Sequence, residues 1–209
     1  KEWRYDSQRF AEWADKIDYV PVDLTTIDFS RYTFDPSWVR EHFQRDAPRK
    51  AALAYRCGPD DYVIVGDVDE IPRASAVKQY IANNSDKVGV LIQDRFCYFL
   101  NYKCIATDEP QLNSKIFKYS MLGDFDLNAM RFSDQRNLMP TERIENGGWH
   151  FTSTGNAEAV KLKLSEFAHV EYQRKIGDVE KLIAEGKDFY DAKTEYVYVP
   201  IDETFPEWV

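Results

Sequence analysis

The chain has 209 residues, 27 basic against 36 acidic side chains, and a formal net charge of −9. That balance excludes a general nucleic-acid binder, which would carry a basic patch, and no apolar run approaches the roughly eighteen residues of a membrane span. The length fits one domain spanning 1–209, with at most a small annex, and a hydrophobic content of 44% suffices for a sizeable core. No signal-like segment opens the chain, and a start at Lys1 rather than Met is the expected mark of a processed or partial protein. Cys57, Cys97 and Cys104 have no zinc spacing and are expected as free thiols, with Cys97 and Cys104 the nearer pair for a disulfide.

In chain order, residues 4–15 read as a helix with Phe10, Trp13 and Ala14 on one face, and Ile17 to Val22 alternates as a strand. A polar and aromatic loop ends at Asp35-Pro36, a helix start with Pro in the first turn. The helix predicted over 37–56 carries Trp38, Val39, Phe43 and Leu53, and Pro48 kinks or divides it. Cys57-Gly58-Pro59-Asp60 is a stop and turn.

Tyr62-Val63-Ile64-Val65 is a continuous apolar run, which predicts a strand buried on both sides in the middle of a parallel sheet. It breaks at Gly66 into Asp67, Asp69 and Glu70, and Pro72 stops the strand. In open α/β sheets, ligands bind beyond the carboxyl ends of strands. Asp67 and Asp69, two apart in extended chain, are expected to point the same way and to hold a hard divalent cation that keeps positions for phosphate oxygens. An acidic protein handling an anionic diphosphate needs such a bridging metal. The alternative is a charged turn after a core strand.

Beyond the cluster, Ala74, Val77, Tyr80 and Ile81 give a helix over 74–84. Val88 to Ile92 is a second buried strand, and 95–102 continues with alternation. Residues 103–114 read as loop, Lys115 to Tyr119 as a strand, and 121–146 as mostly loop with a short helix near 126–131. Gly148 to Thr152 is a strand. Helices follow over 156–168, with Val160, Leu164 and Phe167 inward, and over 176–185, capped by Gly186. The tail from 187 is aromatic and irregular. The alternation of strands and helices argues α/β.

The run Asp61-Tyr62-Val63-Ile64-Val65-Gly66-Asp67-Val68-Asp69-Glu70-Ile71-Pro72 resembles the metal-binding motif of the glycosyltransferase family 17 enzymes, relatives of the β-1,4-mannosyl-glycoprotein N-acetylglucosaminyltransferase that adds bisecting GlcNAc. Arg40-Glu41-His42-Phe43-Gln44-Arg45, Gly147-Gly148-Trp149-His150-Phe151 and Ser165-Glu166-Phe167-Ala168-His169-Val170-Glu171 with Gly186-Lys187-Asp188 resemble the same family, in the same order. The resemblance implies a GT-A type fold, a Rossmann-like mixed sheet flanked by helices. It implies a Mn²⁺ (or Mg²⁺) cofactor, a UDP-GlcNAc donor, a glycan acceptor, and transfer with inversion at the anomeric carbon. The family's earlier strand-helix-strand segment has no counterpart here, so the chain is expected to enter after it. A eukaryotic catalytic domain of this kind would work in the Golgi lumen, a microbial one in the cytoplasm.

On this reading Asp69 is the first choice for direct metal contact, then Asp67, with His150 as a third ligand or a hydrogen-bond donor to a phosphate. Glu70 is more structural. Inversion in one displacement needs a general base facing the acceptor hydroxyl, and the candidates are Glu171, Asp188 and Glu145. Two of them have a plain structural alternative: a solvated helix end for Glu171, a turn carboxylate bonding its own backbone for Asp188. Gly147 and Gly148 would let backbone approach the donor. Trp149 would stack on a sugar or belong to the core. Arg45 and Arg40 would pair with the diphosphate or with the Asp cluster. Rival readings are a catalytically inactive nucleotide-sugar or glycan-binding module and a metal-dependent phosphoesterase.

Overall fold

The computed structural model describes residues 5–33, 35–106, 113–166, 170–189 and 193–207, with the side chains of Ala51, Ala106, Val170 and Glu171 outside the description. The chain divides into two compact units, Lys1–Cys57 and Gly58–Val209. In the first, α1 (Pro36–Pro48) starts as expected: Asp35 caps it by accepting from the Ser37 amide at 2.9 Å, and Pro36 opens the first turn. Pro48 does not end the helical path. A π-helical turn (Arg49–Leu53) follows it and leads into α2 (Ala54–Arg56). The helix predicted over 4–15 shrinks to an exposed 3-10 segment, Ala11–Lys16, and 17–22 is irregular rather than a strand. Trp13 is exposed, so the apolar periodicity there has no core to serve.

The second unit is a mixed α/β structure around a seven-stranded sheet. Its spine is the long strand β3 (Val88–Cys97). The earlier strands are β1 (Tyr62–Val65) and β2 (Glu70–Pro72); the later ones are β4 (Tyr102–Ala106), β5 (Lys115–Lys118), β6 (Thr141–Thr152) and β7 (Glu195–Tyr198). β6 runs parallel to β3 along its length, with a register shift between Leu91 and Gln93. β5 pairs antiparallel with the first half of β3 and carries β1; β4 pairs antiparallel with the second half and carries β7. β2 joins the outer side of β6. All pairings but β3–β6 are antiparallel.

That topology corrects the reading of Tyr62–Val65. β1 pairs with β5 alone, antiparallel, at the margin of the sheet, with Val63 and Val65 buried and Ile64 exposed. A four-residue apolar run cannot separate a half-buried edge strand from a parallel core strand. Segments 103–106 and 141–146, read as loop, are strands, and the tail contains β7, whose partner is β4.

The helices fall close to expectation. α3 (Ala74–Asn83) buries Ala76 and Tyr80, and α4 (Leu127–Arg131) is capped by Asp126, which accepts from the Ala129 amide at 2.6 Å. α5 (Ala157–Glu166) buries Val160 and Leu164; α6 (Val179–Glu185) ends at Gly186, φ 65°. Phe167, predicted on the inner face of the helix before it, lies outside the described residues. α5 and α6 share a core with Cys97, Tyr98, Tyr102, Phe189 and Tyr196, which fixes them over the second half of β3. Among the described residues, no helix is long and apolar enough to cross a membrane.

Candidate functional site

The acidic segment is a turn, not an extended strand end. The Glu70 amide donates to the Asp67 carbonyl at 3.0 Å, closing a β-turn over 67–70. The turn sends the carboxylates in different directions, so Asp67 and Asp69 do not line up as the two-residue spacing suggested.

Asp67 and Glu70 turn to Arg131 on α4. Its guanidinium, 1% exposed, grips Glu70 in bidentate fashion: Nη1 donates to Oε2 at 2.5 Å and Nη2 donates to Oε1. Nη2 also donates to Asp67 Oδ2 at 3.0 Å. Glu70 further accepts from Ser114 Oγ at 2.8 Å and from the Asp67 amide at 3.3 Å. Glu70 is therefore structural, as expected. Asp67, expected at the metal and at the donor, shares the same arginine. Beside this nest Lys115, fully buried, donates to the Asn113 carbonyl at 2.7 Å and pairs with Asp134 at 3.3 Å; burial lowers its pKa.

Asp69 turns the other way, toward β6 and α5. Its carbonyl accepts from the Phe151 amide at 2.9 Å, which fixes the turn against β6. His150 Nε2 stands 3.7 Å from Asp69 Oδ1, and Lys163 Nζ stands 3.6 Å from Oδ2. Lys163 also donates to Thr152 Oγ1 at 3.1 Å. His150 is placed by register: Glu70, His150 and Arg95 are cross-strand partners on β2, β6 and β3, and so share a face. Lys163 is placed by helix periodicity, three residues after buried Val160 and beside buried Leu164, on the flank of the inward stripe. The side chains of Asp69, His150 and Lys163 are 29%, 23% and 32% exposed, which leaves this trio open to solvent. Burial lowers the His150 pKa against the pull of Asp69, so the imidazole is neutral at neutral pH.

No protein-family model, curated protein or solved structure matches the chain.

The donor set of the trio fits a divalent cation in part. A carboxylate oxygen and a neutral imidazole nitrogen 3.7 Å apart can both lie about 2.1 Å from one ion. Among the described residues no group of three or more His, Cys, Asp or Glu side chains converges as a ready ligand cage. Protein ligation here would rest on Asp69 and His150, with other positions for water or phosphate oxygens.

The remaining predicted residues are placed as follows. Gly147 and Gly148 serve the sheet. A Cβ on Gly148, at φ 140°, would lie 2.0 Å from the Ile71 carbonyl oxygen, and one on Gly147 would lie 2.5 Å from the Ile92 nitrogen. The close approach is by neighbouring strands, not by a donor. Trp149 is core, 7% exposed among Phe96, Phe151 and Phe205, with the Arg73 guanidinium 4.1 Å from its ring centroid; a sugar has no ring face to stack on. Asp188 is 2% exposed and locked: Arg95 Nη2 donates to its Oδ2 at 3.0 Å, and Tyr196 Oη donates to the same oxygen. A base so enclosed cannot meet an acceptor hydroxyl, which corrects its catalytic assignment. Glu145 lies on the exposed part of β6, ion-paired to Arg143 at 3.3 Å. The Glu171 backbone belongs to a 3-10 segment, Val170–Asp178, and His169 lies outside the described residues. Within the first unit, Arg45 pairs with Glu41 at 3.0 Å and Arg40 lies 4.8 Å from the Phe29 ring centroid.

Sequence reasoning missed Arg131 and Lys163. A charge argument could have found the first: a carboxylate such as Glu70 that ends in the interior needs a cation. Lys163 gave no signal, since a lysine on a helix flank is ordinary.

Proposed function

We propose that the chain is a metal-dependent, inverting glycosyltransferase that takes N-acetylglucosamine from UDP-GlcNAc to a sugar hydroxyl of a glycan, with its donor bound at Asp69. The observation that carries this reading is the open trio of Asp69, His150 and Lys163, set beside Asp67 and Glu70, which share Arg131. Donor identity and inversion come from the family 17 resemblance, as does the GT-A assignment; the largely antiparallel sheet is not typical of that fold.

Asp69 and His150 would hold Mn²⁺ or Mg²⁺, and the ion would supply Lewis-acid neutralisation of the charge that builds on the departing diphosphate. Lys163 supplies a second cation at the same edge. Arg131 offsets one of the two negative charges of Asp67 and Glu70, which lessens their repulsion of phosphate. With Asp188 buried, the proposed general base is Glu171 or Glu145, the other two candidates of the sequence.

A second reading, a nucleotide-sugar-binding module without catalysis, is favoured by one observation: Asp188 is sealed in an ion pair. Calorimetric titration of UDP-GlcNAc with and without Mn²⁺, followed by a search for transferred GlcNAc on mannose-containing glycans, separates the two. Metal-dependent binding with transfer supports the enzyme, metal-dependent binding without transfer or donor hydrolysis supports the module, and no binding by the folded protein removes both.

A further inference from the structure

The two carboxylate oxygens of Asp69 face different partners. Oδ1 faces the His150 nitrogen at 3.7 Å, and Oδ2 faces the Lys163 ammonium at 3.6 Å. The ammonium is steadied by Thr152 Oγ1 at 3.1 Å. Lys163 thus stands as the counter-cation of Asp69. The contact is longer than a hydrogen bond and both side chains are about one-third exposed, so it is weakly held. The Arg131–Glu70 contacts, by contrast, are short and buried.

A divalent cation arriving at Asp69 puts two positive charges next to a third. The lysine must then withdraw, and its flexible four-carbon stem lets it do so. A diphosphate on that cation brings anionic oxygens to the same edge, and phosphate is a natural partner for a displaced ammonium. We infer that Lys163 exchanges between Asp69 in the resting protein and a phosphate oxygen of a metal-bound diphosphate, so that metal and diphosphate bind cooperatively through it. The inference rests on the reading of Asp69 as the metal and diphosphate site. It goes further in giving one residue opposite roles: competitor of the metal alone, partner of the diphosphate. The coupling is reciprocal, so the diphosphate raises metal affinity by the factor by which metal raises diphosphate affinity.

The test is calorimetric titration of Mn²⁺ alone, and of UDP at saturating Mn²⁺, into the wild-type protein and Lys163→Met. Methionine keeps the stem and removes the charge; Lys163→Gln gives the same readout if the first variant folds poorly. The expected result is Mn²⁺ binding alone tightened several-fold and UDP binding weakened about tenfold, the scale of one charge-assisted contact. The opposite signs are the signature, because a merely structural lysine would move both affinities the same way or neither. Wild-type binding of Mn²⁺ and UDP with both affinities unchanged, or both lowered, in the variant overturns the exchange and leaves the Asp69 reading standing. Failure of the wild-type protein to bind UDP with Mn²⁺ overturns both.

Discussion

Two kinds of ion cluster lie along one face of the same sheet, and they are built differently. Arg131 with Glu70, and Arg95 with Asp188 and Tyr196, are sealed: the charged side chains are within a few per cent of full burial, the contacts are hydrogen bonds, and single carboxylate oxygens accept more than once. Asp69 with His150 and Lys163 is loose, with separations of 3.6 to 3.7 Å and a quarter to a third of each side chain in solvent. Buried pairs must be complete, because a stranded charge is costly. An exposed trio with gaps can accept a ligand without first breaking good bonds. The carboxylates of one short segment are thereby split between scaffold and site.

The sharpest way to break this division is Arg131→Met. It strands Glu70 in the interior and is expected to cost about 3–5 kcal/mol in urea unfolding. A loss under 1 kcal/mol would mean that the nest is not scaffold. Asp188→Asn is next. It keeps the shape but removes the charge facing Arg95, and is expected to cost about 2 kcal/mol; full stability with transfer abolished would instead return Asp188 to the catalytic role.

A smaller effect belongs to Cys97 in the same sealed region. Burial, reinforced by the Asp188 charge, pushes its thiol up to about 12. The unfolded thiol ionises near 9, so the stabilising difference is complete below that pH and is lost as pH rises from there toward 12. Stability should fall by up to about 1.4 kcal/mol per pH unit on that account. Comparing Cys97→Ala with wild type between pH 9 and 10 isolates the slope; equal slopes would place the thiol in water.

The helix over 4–15 was misread, but the later helices were legible in the sequence because their signals are local: Asp35-Pro36 as a start, Val160 and Leu164 as an inward stripe, Gly186 as a stop. The sheet was less so. Residues 141–145 carry charge and look like loop, yet their partner β3 makes them a strand, and β7 exists only because β4 lies beside it. Pairing partners distant in sequence leave no periodic trace. The acidic segment was found for sound reasons and misread in one respect: spacing implies a shared direction only in extended chain, and the 67–70 hydrogen bond makes a turn. The burial of Asp188 was illegible, since a buried Asp and an exposed one read alike in the sequence.

The most direct measurement compares Asp67→Asn with Asp69→Asn in UDP-GlcNAc titrations at saturating Mn²⁺, each variant also unfolded in urea. The account predicts that Asp69→Asn abolishes metal-dependent binding with stability within about 0.5 kcal/mol of wild type. Asp67→Asn should lose about 1 kcal/mol of stability through its weakened bond to Arg131 and still bind. Binding lost in Asp67→Asn and kept in Asp69→Asn would contradict the division on which the account stands.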